Sequence, residues 1–444
     1  MSKRRRRKIS NETFTTNITS LSHEGRGIAH LDGKTTFIFG ALPGETVEFR
    51  YSKKRGSYDE GYVTNVLEAS KDRVDAKCPN FGICGGCSLQ HMQHDTQIKH
   101  KQTAFLELLK QQSNIEPQEI LTPLIASPWG YRRKARIGVK HVPKKEKVLV
   151  GFRERNSPYV TNMDICFTLH PSVGKEIAAL STLFMTLETK DHLPQCEVAI
   201  DDNETAIILR HLVPLPEKDL DALENFFKQR KWRLYLQPKG IDSIHLHYPK
   251  LENPLLQYQL PKYDLKLEFH PAQFTQINSE INRQMIDRAL DLLDLQETDH
   301  VLDLFCGIGN FTLPITKQAK KVIGIEGDDT AVAQAKNNAT LNQITNTEFY
   351  SANLFEPVNH FTWSQATFDK ILLDPPRSGA QEILENMSIW QPQKIIYISC
   401  NPATLARDAG ILCQQGYHLD KAGIMDMFPH TQHVEAMALF ERSP

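Results

Sequence analysis

The sequence predicts an α/β protein whose last part, residues 271–444, folds as a doubly wound, mainly parallel sheet, preceded by a small OB-like β-barrel and a β-rich central region. Three observations carry this expectation. From Val301 to Ser399, apolar strand-like runs alternate with helical segments, and each run ends in a polar or turn-forming residue. Between Phe14 and Ala69, short alternating segments are separated by turn signals at Asp32-Gly33 and Pro43-Gly44. Between these regions, the charged run Tyr131-Arg132-Arg133-Lys134-Ala135-Arg136 opens a β-rich stretch that reaches about residue 270. The expected division is therefore 1–70, 71–270 and 271–444.

A chain of 444 residues, at ~150 residues per domain, holds two or three domains. With 40% hydrophobic residues each can bury an ordinary core. No amino-terminal apolar signal region and no run of roughly 18 apolar residues is present, which argues against export and membrane insertion. A cytosolic protein is expected. Eight cysteines without a secretion signal are then expected to be reduced, metal-bound or catalytic. The net charge of −1 hides an asymmetry: from residue 271 onward there are 12 Lys and Arg against 21 Asp and Glu, a net of −9, which leaves +8 for residues 1–270. Such a split points to a polyanionic partner for the first part.

In chain order, the basic run Lys3-Arg-Arg-Arg-Arg-Lys8 has no apolar partners and suits sequence-independent attraction to phosphates. Five strands follow, expected at Thr15–Leu21, Gly27–Leu31, Thr35–Phe39, Thr46–Tyr51 and Tyr62–Leu67. The segments Glu24-Gly25-Arg26-Gly27-Ile28-Ala29, Pro43-Gly44-Glu45 and Lys53-Lys54-Arg55 within them resemble a TRAM domain, an RNA-binding module of RNA-modifying enzymes. Next, Cys78, Cys84 and Cys87 form a C-x5-C-x2-C group, with Gly82, Gly85 and Gly86 allowing a tight wrap. Three sulfurs this close can share one metal centre, to which Cys166 can add a fourth ligand from downstream. Spacing alone leaves zinc and an iron–sulfur cluster both open. His94 to Gln112 carries Ile98, Phe105, Leu108 and Leu109 at helical spacing, an amphipathic helix explained by packing. The Tyr131–Arg136 run reads equally as a solvated strand face or as an RNA contact with base stacking; the basic half of the chain tips it toward RNA.

The carboxyl-terminal part carries the chemistry. After a helix expected around Ser279–Leu295, Val301-Leu-Asp-Leu-Phe-Cys-Gly307-Ile-Gly309-Asn310 reads as strand and glycine turn. Thr312 stands where a dinucleotide fingerprint needs its third glycine, so that fingerprint fails. A second strand ends at Glu326, placed to accept hydrogen bonds from ribose hydroxyls; a third ends at Asn353, able to hold an adenine edge. The fourth ends in Asp374-Pro375-Pro376-Arg377. This order of glycine turn, acidic strand end and Asp-Pro-Pro is the pattern of Rossmann-like S-adenosylmethionine-dependent methyltransferases.

One strand later, Lys394-Ile-Ile-Tyr-Ile-Ser399 runs straight into Cys400-Asn401-Pro402. A lone cysteine is most often a small buried hydrophobe. At the ligand-binding edge of a parallel sheet it can instead be a nucleophile. Methylation of a pyrimidine carbon needs one: addition of sulfur at C6 makes C5 of uracil an enolate carbon able to take a methyl group, after which a base must remove the C5 proton so the thiol can leave.

The motifs Leu373–Arg377, Ser399–Asp408 and Phe428-Pro429-His-Thr-Gln-His433-Val-Glu435, joined to a TRAM-like barrel and four cysteines, resemble the RNA uracil-5-methyltransferases of the 23S rRNA-directed type. The resemblance runs nearly end to end. It implies Cys400 as nucleophile, Glu435 as the base for the C5 proton, and Gln276, Phe305, Asn310, Glu326, Asn353 and Asp374 at the S-adenosylmethionine site. It also implies a [4Fe–4S] cluster on Cys78, Cys84, Cys87 and Cys166, 23S rRNA as partner with the equivalent of uridine 1939 as target, and a monomer. Arg132, Arg133 and Phe274 are expected RNA contacts, while Cys196, Cys306 and Cys413 are read as packing. Methylation of another RNA such as tRNA, a radical S-adenosylmethionine enzyme, and an inactive rRNA-binding assembly factor are the alternatives. Methyl transfer itself requires no redox step, so a structural or RNA-positioning role is expected for the cluster.

Overall fold

The computed structural model describes residues 12–442; the basic run Lys3–Lys8 lies outside the described residues. The chain forms two compact units: residues up to Ala104 with Phe428–His433, and Phe105–Met427 with the residues from Val434 onward.

The first unit is built on a barrel of six strands: β1 (Phe14–Asn17), β2 (Ser20–Leu21), β3 (Gly27–Leu31), β4 (Lys34–Phe39), β5 (Thr46–Lys54) and β6 (Tyr58–Glu68), in the order β1-β5-β6-β4-β3-β2. The expected first strand, Thr15–Leu21, is two. Its break at Ile18-Thr19 donates to Glu45 O and Ile28 O, at 2.9 Å each, so the chain leaves β5 and joins β3. One segment thereby serves both sheet edges and closes the barrel, which leaves no edge to be blunted. Ile18, Ala29, Ile38, Val47 and Phe49 fill the interior. Gly27 is required because a Cβ there would stand 2.8 Å from Ala41 Cβ and 2.9 Å from Ile18 Cγ2. After a turn-rich segment carrying Cys78–Cys87, α1 (His94–Ser113) begins. It spans the expected range and buries Ile98, Phe105 and Leu109.

Among the described residues the second unit holds three sheets. Following β7 (Glu119–Ile120), the strands β8 (Lys134–Val142) and β9 (Lys147–Gly151) precede α2 (Pro171–Gly174) and α3 (Ile177–Thr186). Then come β10 (Gln195–Ile200), β11 (Thr205–Arg210), α4 (Glu217–Arg230), β12 (Arg233–Gln237) and β13 (His245–Tyr248). The sheet order is β13-β12-β11-β10-β8-β9, over a core that includes Ile137, Phe184, Cys196, Phe227 and Trp232. A hairpin of β14 (Leu256–Leu260) and β15 (Leu265–Phe269) leads to α5 (Ser279–Leu293), which is capped by the Asn278 side chain.

The last sheet has eight strands. Its elements are β16 (His300–Leu304), α6 (Thr312–Ile315), β17 (Lys321–Glu326), α7 (Asp329–Leu341), β18 (Thr347–Ser351), β19 (Lys370–Leu373), α8 (Gln381–Leu384), α9 (Met387–Trp390), β20 (Lys394–Ser399), α10 (Pro402–Gln414), β21 (Tyr417–Met425) and β22 (Glu435–Arg442). The order is β18-β17-β16-β19-β20-β22-β21-β7, with β18 to β20 parallel and β22 antiparallel to both β20 and β21. This is the expected doubly wound sheet. Strands β19 and β20 are near-continuous apolar runs, and β16 is one interrupted by Asp303; all are buried along nearly their whole length, as in a parallel sheet covered on both faces, so alternation has no selective value there. The winding reverses between β16 and β19, and such a switch point opens a crevice at the carboxyl ends of the strands.

Candidate active site

Each polar residue at the switch-point edge is delivered by a strand end. After β16 the backbone turns through Phe305 (φ 64°), Gly307 (φ 55°) and Gly309 (φ 93°). A left-handed phenylalanine is strained and persists only where its surroundings hold it; here its ring lies 5.9 Å from that of Phe355. A Cβ placed on Gly307 would meet nothing within 4 Å, so the turn borders open space. Gly307 N–H donates to Glu326 Oε2 at 3.1 Å, while Gly327 and Asp328 N–H donate to Oε1 at 2.7 and 3.1 Å. These bonds fix the Glu326 carboxylate at the end of β17 beside the turn.

Asp374 follows β19, and its N–H donates to Leu304 O at 3.3 Å, tying it to the end of β16. Burial, with the Glu326 carboxylate adding to it, pushes its pKa up to about 7. Asp303, not singled out by sequence, lies fully buried in β16 and accepts from Thr312 Oγ1 at 2.5 Å. Burial outweighs that bond and raises its pKa to about 7. An aspartate inside an apolar strand was the signal available for it. Three carboxylates thus surround one glycine turn, suited to a ligand carrying positive charge and hydroxyl donors.

The other residues expected at this site are engaged within the protein. Asn310 exchanges hydrogen bonds of 2.9 and 3.0 Å with Asn282 and accepts from Tyr258 OH at 2.9 Å. Asn353, exposed beyond β18, donates to Glu356 Oε1 at 2.8 Å and accepts from Phe355 N–H at 3.1 Å. Gln276 is half-buried in the segment before α5.

Cys400 directly follows β20, half-buried. Across β20 and β22, Ser399 pairs with Ala436, so Cys400 and Glu435 are the next residues of adjoining antiparallel strands at the same edge. Burial first, then the carboxylates of Glu435 and Asp374, raise the thiol pKa to about 11, while Arg377 opposes them. The Arg377 loop is braced: its carbonyl accepts from Asn401 Nδ2 at 3.0 Å, and Arg407 Nη2 donates to Ser378 O at 2.9 Å. Behind it Asp408, fully buried, accepts from Tyr397 OH at 2.6 Å, Ala380 N–H at 2.8 Å and Arg407 Nε at 2.7 Å. The Asn401 side chain also caps α10 through Ala403 N–H. The Ser399–Asp408 motif is therefore a strand end, a cap and a brace around one thiol.

Comparison with known proteins decides what this edge belongs to. Residues 250–443 match the tRNA (Uracil-5-)-methyltransferase family model, and residues 7–53 match the TRAM domain. The chain is 49% identical to the 23S rRNA (uracil(1939)-C(5))-methyltransferase RlmD of Hahella chejuensis, over 99% of this chain and 100% of that one. It is 47% identical to RlmD of Legionella pneumophila strain Lens over 98% of each chain, and 49% identical to that of Francisella tularensis subsp. novicida over 99% of each. The chain belongs to the RlmD family of 23S rRNA uracil-C5-methyltransferases. The structure of Pyrococcus abyssi tRNA (uracil-54, C5)-methyltransferase in complex with S-adenosyl-L-homocysteine superposes with a TM-score of 0.72, covering 96% of this chain and 100% of that one. At 22% identity it shows that the fold is shared.

In this RlmD-family chain the three clustered cysteines lie in turns closed by Phe81 N–H to Cys78 O at 3.0 Å and Cys84 N–H to Asn80 O at 2.9 Å. Gly86 N–H points at Cys84 Sγ at 3.4 Å, the kind of donor that favours a thiolate. Cys166 is buried in the second unit, its sulfur 3.3 Å from Thr168 Oγ1. No group of three His, Cys, Asp or Glu side chains is gathered as a metal site among the described residues. The Tyr131–Arg136 run is only partly absorbed: Tyr131 is buried and Arg133 bonds to Asp201 O and faces Asp202, whereas Arg136 pairs with Glu197 at 2.8 Å and stays exposed. Arg132 lies over the Phe152 ring. Phe274, 75% exposed, offers an open ring face. Cys196 and Cys306 are buried, in keeping with packing.

Proposed function

We propose that this chain transfers a methyl group from S-adenosylmethionine to C5 of one uridine of 23S rRNA, the equivalent of uridine 1939, with Cys400 as nucleophile and Glu435 as base. The single observation that carries this reading is the register of β20 and β22, which sets Cys400 and Glu435 side by side at the edge where Asp303, Glu326 and Asp374 converge. When bound there, S-adenosylmethionine supplies an electrophilic methyl on a positively charged sulfur. Gln276, Phe305, Asn310, Glu326, Asn353 and Asp374 are assigned to hold it; the open space at Gly307 and the fixed Glu326 carboxylate support this.

Cys400, its proton given up to solvent, adds as a thiolate to C6 of the uracil; C5, now an enolate carbon, takes the methyl group as the methyl–sulfonium bond breaks and S-adenosylhomocysteine leaves. Glu435 then accepts the C5 proton, the C5–C6 double bond re-forms and the thiolate leaves. Arg377, the neighbour that opposes the rise in the Cys400 pKa, favours the thiolate at both ends of this sequence. A uridine must leave its stack to reach the edge, at a cost of a few kcal/mol offset by RNA contacts. The TRAM barrel, Arg132, Arg133 and Phe274 are the proposed sources of those contacts.

Cys78, Cys84, Cys87 and Cys166 are proposed as ligands of a [4Fe–4S] cluster. Family membership, the C-x5-C-x2-C spacing and the Gly86 N–H aimed at Cys84 support it. Its role is proposed to be structural. Protein purified without oxygen should then carry iron and sulfide in equal amounts, and Cys84→Ser should lose both.

The decisive experiment offers rRNA containing 5-fluorouridine together with S-adenosylmethionine. Fluorine cannot leave as a proton does, so a denaturant-stable RNA–protein adduct should build up through Cys400 and be absent in Cys400→Ala. An adduct in neither protein would overturn the mechanism, and mapping the trapped base names the target.

A further inference from the structure

Phe355 is 41% exposed, whereas Phe349, Phe368 and Trp390 of the same sheet and its connections are buried. A lone exposed ring means little. This one is held in place. Phe355 N–H donates to Asn353 Oδ1 at 3.1 Å, Glu356 N–H donates to Asn353 O at 3.1 Å, and Asn353 Nδ2 donates to Glu356 Oε1 at 2.8 Å. Asn353–Glu356 is thus a closed turn of the kind that asparagine favours through its own side chain. Its start is tied to the neighbouring strand, because Ala352 N–H donates to Glu326 O at 3.0 Å.

The turn brings the ring to Phe305. In the sheet order β18-β17-β16, Ser351 pairs with Glu326 and Ile325 pairs with Leu304. The strands that lead to Phe355 and Phe305 are therefore separated by β17, at about 4.8 Å per strand step. Even so, the two rings stand 5.9 Å apart with their planes at 51°. They meet across the end of β17, at a separation where aromatic rings pack. Phe305 is kept there at φ 64°, a strain that its surroundings must hold. The end of β17 carries Glu326, whose carboxylate is fixed by Gly307, Gly327 and Asp328 N–H. A nucleoside whose ribose hydroxyls reach Glu326 has its base bonded directly to that ribose, close to both rings. The Asn353 side chain, engaged with Glu356 and with Phe355 N–H, orients the outer ring.

We propose that Phe355 is a further cofactor-binding residue: its ring, set by the Asn353 turn, packs against the face of the adenine of S-adenosylmethionine beside Phe305. This rests on the assignment of the nucleoside to the Glu326 edge. Stacking supplies affinity through the face of the base, which every purine offers, and leaves the base edge free for hydrogen bonds.

The test is titration calorimetry with two ligands, S-adenosylhomocysteine and 5′-methylthioadenosine, the second of which keeps base and ribose but lacks the amino-acid end. The full-length parent is compared with Phe355→Ala, Phe355→Tyr and Glu326→Gln. Phe355→Ala is expected to weaken both ligands by the same factor, roughly 5- to 100-fold as for loss of one base–aromatic stack, while Phe355→Tyr stays within about twofold of the parent. If Glu326→Gln weakens S-adenosylhomocysteine roughly tenfold or more but Phe355→Ala binds it as the parent does, this inference alone is overturned. A loss confined to S-adenosylhomocysteine would move Phe355 to the amino-acid end, and equal weakening in Phe355→Tyr would make the loss one of loop structure; either result overturns the stacking. No weakening in Glu326→Gln would overturn the assignment of the nucleoside to this edge and this inference with it.

Discussion

Cys400 follows the last residue of β20 and Glu435 opens β22, one step beyond the Ser399–Ala436 pair, so the proposed nucleophile and base share one sheet edge. Their proximity has a chemical consequence. Burial leads, and the Glu435 carboxylate follows, in raising the Cys400 thiol to about 11. The free protein therefore holds a thiol, with roughly one part in 10³ to 10⁴ as thiolate near neutral pH. Alkylation of Cys400 by iodoacetamide should be slow at pH 7.5 and rise steadily with pH above it, as mapped by mass spectrometry. Fast, pH-independent labelling would contradict this environment.

Replacing Glu435 separates its two effects. Glu435→Gln removes a negative charge beside the sulfur, so Cys400 should alkylate faster at neutral pH while turnover falls by roughly 10²- to 10⁴-fold for loss of a general base. Arg377→Gln acts in the opposite sense on the thiol, slowing both alkylation and the formation of the 5-fluorouridine adduct. Parallel changes in labelling for the two variants would argue against this charge arrangement.

Asp303 and Asp374 should make binding of S-adenosylmethionine at the proposed site pH-dependent. Both pKa values are raised by burial to about 7, so the folded protein keeps protons that the unfolded chain releases from about pH 4. The stability they confer is complete below about pH 4 and is lost as pH rises to about 7. A cationic sulfonium favours the ionised carboxylates, so its affinity should climb across the same interval, with proton release visible by calorimetry in buffers of differing ionisation enthalpy. Asp374→Asn should flatten the profile; an unchanged slope would remove Asp374 from the site.

The Pro43-Gly44-Glu45 motif has a structural reason that can be measured. Glu45, 1% exposed, accepts from Arg73 Nη2 at 2.7 Å, Leu42 N–H at 2.8 Å and Ser70 N–H at 3.2 Å. Burial alone would raise its pKa; these bonds outweigh it and the net shift is downward. The stabilisation is present above about pH 4.5 and lost as pH falls through the lowered value. Arg73→Ala leaves a buried carboxylate unpaired and should cost about 3–5 kcal/mol, read as faster hydrogen exchange in β4 and β5. Unchanged exchange would show that the pair does not hold the barrel.

Much of this protein is written in local pattern. Apolar runs such as Ile395–Ile398 require a strand covered on both faces, and the polar residue ending each run had to emerge at the carboxyl edge of a parallel sheet. Glycines at 307 and 309, Cys400 before Asn-Pro and the cysteine spacing are legible because turn geometry and side-chain chemistry act over a few residues. The expected division at residue 70 has no such anchor: the compact first unit continues to Ala104 and takes in Phe428–His433.

Sequence by itself determined the strand runs, the glycine turn, the barrel motifs and the place of Cys400 at the end of an apolar run, since each depends on residues close in the chain. Tertiary structure alone decided that Glu435 stands beside Cys400, that Asp303 joins the acidic edge, that Arg133 is bonded to Asp201 while Arg136 stays exposed, and that Gln97 grips His430 across 333 positions of sequence. The physical reason is that register and hydrogen-bond partners between distant segments are settled by the packing of whole sheets and helices, which no short stretch of residues encodes.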